Sequence, residues 1–320
     1  MTRQVLQQTV SLKDLEGGIE ALRADLGFEV RAAGEVDASM AAVMGASAAV
    51  HPRFALLGAP GVSRGMIRLV EGPADDASGT FHKRGFFNAE LLTRDVEALH
   101  ARLSSSASFQ VVSSLNTYDL SGTGAGAVSR SFATRGPGGA GFFFTQYLRV
   151  PPPRVLPVCE TLVGPMFNAA VSTPTEEGPV ATFYEQVLGM NRRLAGRLTQ
   201  PTVNRIIGLP DDWGFLMLVF KGEGDGLIEV DVHEHPVPDE PAVPSDHLRP
   251  GNSVLSVEVT DMDAVLERAT AAGFPATTPR AVQAAPYLGR RAATLRGPAA
   301  ERIELIEVVA TSSRDRGPAS

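Results

Sequence analysis

Apolar and polar positions along this chain follow two periods, and the change from one to the other recurs four times. In "LQQTVSLKDLEGGIEALRADLGF" (Leu6 to Phe28) an alternating run gives way to a 3.6-residue pattern that stops at Gly27, with Phe28 starting a new apolar run. Period two marks a strand with two unlike faces, and the longer period marks an amphipathic helix closed by glycine. "FFNAELLTRDVEALHARLSS" (Phe86 to Ser105), "AAVSTPTEEGPVATFYEQVLGM" (Ala169 to Met190) and "VLSVEVTDMDAVLERATAAGF" (Val254 to Phe274) repeat the strand-then-helix order. Short strand-like runs broken by Gly and Pro follow each helix. The pattern predicts an α+β protein of four units, each a strand, a helix and about three strands.

The units also resemble one another across the midpoint. "LRADLGFEV" (Leu22 to Val30) matches "YEQVLGMNR" (Tyr184 to Arg192), and "GMIRLVEG" (Gly65 to Gly72) matches "GLIEVDVH" (Gly226 to His233), setting Arg68 against Glu229. "SRSFATRGPGGAGFFFT" (Ser129 to Thr145) matches "RRAATLRGPAAERIELI" (Arg290 to Ile306) through a shared Arg-Gly-Pro. Each pair is separated by about half the chain, which predicts two homologous halves. "VPPPRVLP" (Val150 to Pro157) lies between them, and three successive prolines predict a stiff connector at Pro151 to Pro153. The expected division is therefore residues 1–150, residues 151–309 and a frayed tail over 310–320.

Composition narrows the function classes. A formal charge of −7, with Lys and Arg scattered, argues against a nucleic-acid partner. The lone Cys159 excludes an internal disulfide framework and fits a reducing cytoplasm. The opening "MTRQVLQQTVSL" lacks the apolar core of a signal peptide. No apolar run approaches the roughly 20 residues of a membrane span.

The chain resembles the vicinal oxygen chelate superfamily of glyoxalases, extradiol dioxygenases and bleomycin-resistance proteins. The resemblance rests on "ATFYEQVLGM" (Ala181 to Met190), "VTDMDAVLERATAAGF" (Val259 to Phe274) and the closing "RGPAAERIELIEV" (Arg296 to Val308). It implies four βαβββ modules paired into two glyoxalase-like domains, first with second and third with fourth, each curved around a cleft. In that family, metal ligands come from the first and last strands of each module. The matching positions are Gln7, Arg68, Asn88 and Phe143 in the first half, and Asn168, Glu229, Val254 and Glu304 in the second. Histidine is absent from all of them, Val254 and Phe143 offer no ligand atom, and Arg68 is a fixed cation. The expectation is no metal and no other cofactor.

Candidate chemistry follows from the same positions. If the third and fourth modules pair, Glu229 and Glu304 face each other, and two carboxylates in a partly dry cavity raise one another's pKa. Such a pair can act as acid and base. Asn168 is a candidate donor to a substrate carbonyl, while Arg68, Gln7 and Asn88 are candidates to hold a carboxylate or enolate. Alternation puts Asp231 and His233 on the face of Glu229, where a solvated strand end is expected. Phe143 is expected to wall a cleft, and "SGTGAGAVSR" (Ser121 to Arg130) reads as a loop able to cover one. The reading is an enzyme of isomerase, cyclase or lyase type, acting on a small carbonyl-containing or aromatic substrate without the usual metal. Its alternatives are a resistance-type binding protein and a metal-dependent extradiol dioxygenase. The expected partner is a small molecule, with assembly as a homodimer left open and no membrane or nucleic acid involved.

Overall fold

A computed structural model describes residues 1–76, 81, 83–120, 126–150, 157, 159–238 and 243–308. The proline run at 151–153, the tail at 310–320, the first half of the 121–130 loop and His82 lie outside the described residues.

The four units are present. The first holds β1 (Thr2–Leu12), α1 (Leu15–Leu26), β2 (Glu29–Glu35), α2 (Ala38–Met44), β3 (Arg53–Gly58) and β4 (Met66–Glu71). The second holds β5 (Gly85–Thr93), α3 (Val96–Ser104), β6 (Gln110–Val111), β7 (Asn116–Asp119), β8 (Val128–Arg135) and β9 (Gly141–Arg149). In the third, β10 (Val163–Thr173) precedes α4 (Glu177–Ala181), which runs on as a π-helical turn over Thr182–Val187. Then come β11 (Asn191–Thr199), α5 (Pro201–Ile207), β12 (Gly214–Lys221) and β13 (Leu227–His233). The fourth holds β14 (Gly251–Val259), α6 (Met262–Ala271), β15 (Arg280–Ala281), β16 (Arg291–Arg296) and β17 (Arg302–Glu307). Among the described residues no helix is long and apolar enough to cross a membrane.

The helices start where carboxylates can cap them. Asp14, Asp95 and Asp261 accept from the backbone N–H three residues on, at Gly17, Ala98 and Ala264. Each such cap contributes about 1 kcal/mol. Gly27 closes α1 at φ 72°, a left-handed conformation that a side chain would strain.

In every module the first and last strands run parallel side by side, as β1 with β4 and β10 with β13. Modules then join antiparallel through their first strands. The pairing differs from the expectation: β1 pairs with β14, and β5 pairs with β10. The first module thus shares an eight-stranded sheet with the fourth, and the second shares a nine-stranded sheet with the third. The nine-stranded sheet takes strands from both sides of the proline run, so a division at residue 150 does not follow the sheets. The physical reason is that each module offers the same free edge on its first strand. A repeat offset fixes how modules resemble one another, not which edges meet.

One face of each sheet enters a shared core that runs from Val10, Leu12 and Ile303 to Phe142, Phe144 and Val230. The opposite faces are the clefts. Because strands alternate, Arg68, Val254 and Glu304 point to one cleft, and Asn168, Glu229 and Asp231 to the other.

Candidate functional site in the nine-stranded sheet

The two clefts fare differently. In the eight-stranded sheet, Arg68 donates from Nε to Thr9 Oγ1 at 2.9 Å, from Nη1 to the Tyr287 hydroxyl at 2.7 Å and from Nη2 to Glu304 Oε1 at 3.2 Å. Tyr287 donates to the same Glu304 oxygen at 2.6 Å, and Ser256 donates to Oε2. Gln7 closes the chain, donating to Ser256 Oγ at 3.2 Å. Every one of these side chains is fully buried. Packed with Tyr287 of this network is an apolar plug of Leu6 and Val254 from the sheet itself, Met40 and Met44 from α2, and Leu248 and Val282 from the segments before β14 and β16. This cleft is filled with the protein's own side chains.

The cleft of the nine-stranded sheet is open, with about 880 Å³ of empty space including its mouth. Its floor is made by the paired residues Glu90 and Asn168 on the two central strands, with Glu229 on the neighbouring β13. The Asn168 amide nitrogen donates to Glu90 Oε2 at 2.8 Å and to Glu229 Oε2 at 3.0 Å. Thr145 donates to the other Glu90 oxygen and meets Ser131 at 2.7 Å. Two residues along β13, buried Asp231 bonds to Glu229. Phe87, Phe143, Tyr118, Tyr147, Phe167 and Phe215 supply aromatic walls.

Electrostatics follow from this enclosure. Both Glu90 and Glu229 sit deep while keeping part of their surface on the cleft. Loss of water pushes Glu229 up to about 7, and the Glu90 charge adds to the rise against the opposing Asn168 bond. Burial raises Glu90 as well, with Thr145 and Asn168 pulling it down. Asp231 is raised well above the usual carboxylate range, by desolvation first and then by Glu229. The Tyr118 phenol is also raised, by burial and then by the charges of Glu90 and Glu229. Glu229 therefore exchanges its proton near neutrality, in a pair with Asp231.

Several expectations need correction. Glu229 and Glu304 lie in different sheets and do not face each other; Glu304 pairs with Arg68 instead. Arg68 and Gln7 are engaged within the buried network of the filled cleft, while Asn88 lies in the other sheet. Asn88 does line the open cleft, but the position opposite Asn168 is taken by Glu90. Likewise the β14 residue at the cleft floor, opposite Gln7, is Ser256, two residues on from the expected ligand position Val254. Both errors are slips of two residues, which leave a strand's face unchanged and are invisible to alternation. Irregular register at Met166/Asn168 and at Val5/Gln7 favours such slips. Asp231 and His233 are buried rather than solvated. Phe143 walls the open cleft as expected. Glu90 had a signal in the sequence, since "FFNAELLT" sets it on the face of Asn88.

The metal that the family resemblance implies meets side chains poorly suited to hold it. In the filled cleft a guanidinium lies against the carboxylate. In the open cleft the corresponding residues are Glu90, Asn168, Glu229 and the phenyl of Phe143, and the Asn168 amide already points its N–H groups at both carboxylates. Among the described residues no three His, Cys, Asp or Glu side chains form a group that could hold a metal ion.

No family model matches the sequence, nor does any curated protein sequence. Solved structures do. Glyoxalase I from Zea mays superposes with a TM-score of 0.62 at 14% identity, over 96% of this chain and 92% of the other. A putative dioxygenase from Bacillus subtilis subsp. subtilis str. 168 gives 0.62 at 12% identity, over 96% and 85%. At these identities the likeness is one of fold.

Proposed function

We propose that this chain, which has the glyoxalase-like fold of the vicinal oxygen chelate superfamily, is a cytoplasmic enzyme with one working cleft, in the nine-stranded sheet. It acts by acid-base chemistry on a small aromatic or carbonyl-containing compound, without the fold's usual metal. The observation that carries this reading is the single Asn168 amide held between Glu90 and Glu229 at the floor of an aromatic-walled cleft. A carboxylate there removes a proton from carbon beside a carbonyl; the C–H electron pair forms a carbon–carbon double bond and the carbonyl π pair moves to oxygen, giving an enolate. The neighbouring carboxylic acid returns a proton at a second position, so no net charge is left. A carboxyl near pH 7 is populated in both forms and suits either half of the exchange. The reaction class is isomerase or lyase.

The aromatic walls favour a second reading, sequestration of an aromatic ligand without turnover. The two separate on product formation across a panel of aryl ketones and related enolisable compounds. The proposal expects turnover in wild type and a fall of about 10²- to 10⁴-fold in Glu229→Gln and Glu90→Gln. Binding with no chemical change to any bound compound supports sequestration. Full activity in both variants removes the acid pair from the mechanism.

A further inference from the structure

The polar atoms left without partners in the open cleft are all of one kind. Asn168 Oδ1, Asn88 Oδ1 and Asp231 Oδ1 are buried acceptors with no hydrogen bond, and all three residues line the cleft. They belong to side chains that are 3%, 5% and 2% exposed. The orientation of the Asn168 amide is fixed, since its nitrogen already serves two carboxylates. A buried acceptor without a donor is costly, so a ligand that brings donors is favoured over one that brings acceptors.

Charge points the same way. Among the described lining residues there are three carboxyl groups, Glu90, Glu229 and Asp231, and no Lys, Arg or His. An anion entering would meet carboxyl groups and unpaired carbonyl oxygens with no cation to offset them. A cation would meet all of these as acceptors, and aromatic faces that attract positive charge are at hand in Tyr118, Phe143 and Tyr147. The filled cleft shows what this arrangement lacks: there, the position matching Glu229 carries Arg68, whose guanidinium meets Glu304 at 3.2 Å.

We infer that the open cleft takes a small organic cation, a protonated amine carried on a flat aromatic body, whose N–H groups reach the acid floor and the unpaired Asn168 and Asp231 oxygens. This specifies the ligand class for the cleft proposed above as the working one, and concerns binding alone, so it stands or falls independently of turnover.

Three indoles of nearly equal shape test it: tryptamine (a cation), 3-ethylindole (neutral) and indole-3-propionate (an anion), each titrated calorimetrically into the full-length protein at pH 7.5. Tryptamine should bind about ten-fold or more tighter than 3-ethylindole, and the propionate should bind most weakly. The double variant Glu90→Gln/Glu229→Gln should lose the preference for tryptamine and keep its affinity for 3-ethylindole. If that variant does not fold, Asp231→Asn serves, with a smaller loss of the same preference. Propionate binding as tight as tryptamine, or no saturation by tryptamine at millimolar concentration, overturns the inference. So does a preference for tryptamine that survives every substitution, because the chain's net charge of −7 would then explain it. An enzyme that turns over uncharged ketones while rejecting tryptamine would defeat this inference and leave the catalytic proposal intact.

Discussion

At the floor of the eight-stranded cleft the paired central strands present Gln7 and Ser256, flanked by Arg68 and Glu304. At the floor of the nine-stranded cleft they present Asn168 and Glu90, flanked by Glu229 and Phe143. The frame is shared and the electrostatics are opposite. In the first, one carboxylate meets one guanidinium, a tyrosine and a serine, and an apolar plug seals the set from water. In the second, three carboxyl groups share one amide and each other, with no cation among the described lining residues and with the cleft open above them. Buried charge is tolerated when it is matched and hydrogen-bonded, and when it is unmatched it takes up a proton. The filled cleft is thus suited to holding two modules together, and the open one to moving protons.

Changing the acid on each side should separate these roles. Glu229→Gln keeps shape and removes the base, so initial rates should fall by about 10²- to 10⁴-fold with the thermal midpoint nearly unchanged. Glu304→Gln, measured in the same assay, should lose activity only in proportion to any unfolded fraction. A well-folded Glu304→Gln with the larger kinetic defect would reverse the assignment of the clefts.

Stability should show the mirror image. Arg68→Met leaves Glu304 buried without its cation and should cost about 3–5 kcal/mol in denaturant unfolding. Adding Glu304→Leu removes the stranded charge, so the double variant should be more stable than Arg68→Met alone. Equal stability of wild type and Arg68→Met would show that the ion pair does not hold the filled cleft.

Acid should act on the two regions with opposite sign. Glu229 has a folded pKa of about 7, above its ordinary 4.5, so the native state binds the extra proton and stability from this group falls as pH rises between those values. His51, beside the filled cleft, is buried between the Glu71 carbonyl at 2.8 Å and the Leu248 N–H at 2.9 Å. Burial lowers its pKa below 6.5, so its contribution is present above 6.5 and is lost as pH falls through the folded value. Hydrogen exchange at pH 7 and pH 5 should show β13 gaining protection and the segment at Leu248 losing it. In Glu229→Gln the gain at β13 should vanish while the loss at Leu248 remains.

The smallest effect is expected at Asn88. It lines the open cleft but stands two residues along the strand from the bridge made by Glu90 and Asn168, so Asn88→Ala should change turnover or ligand affinity by less than about tenfold. A defect as large as that of Glu90→Gln would restore it to the central position.

These contrasts also show what alternation and repeats convey. Period two put Arg68, Glu304, Glu229 and Asn168 on cleft faces, and the change to a helical period marked where each module turns. The pairing of modules was not legible, because all four present the same free strand edge and the half-chain repeat is satisfied by either arrangement. The two-residue offset between Asn88 and Glu90 was not legible either, since it preserves the face. Closure of the first cleft depends on α2 and on Tyr287, which belong to none of the stretches that match between the halves in sequence and whose packing no periodicity announces.

The central claim is that Glu229 exchanges a proton near neutrality at the floor of the open cleft. Carbon-13 labelling of the glutamate side-chain carboxyls, followed by nuclear magnetic resonance across pH 4 to 9, tests it most directly. The account predicts one glutamate resonance with a midpoint of about 7, absent from Glu229→Gln and retained in Glu304→Gln. A wild-type spectrum in which every glutamate carboxyl titrates near its ordinary value of 4.5 would contradict it.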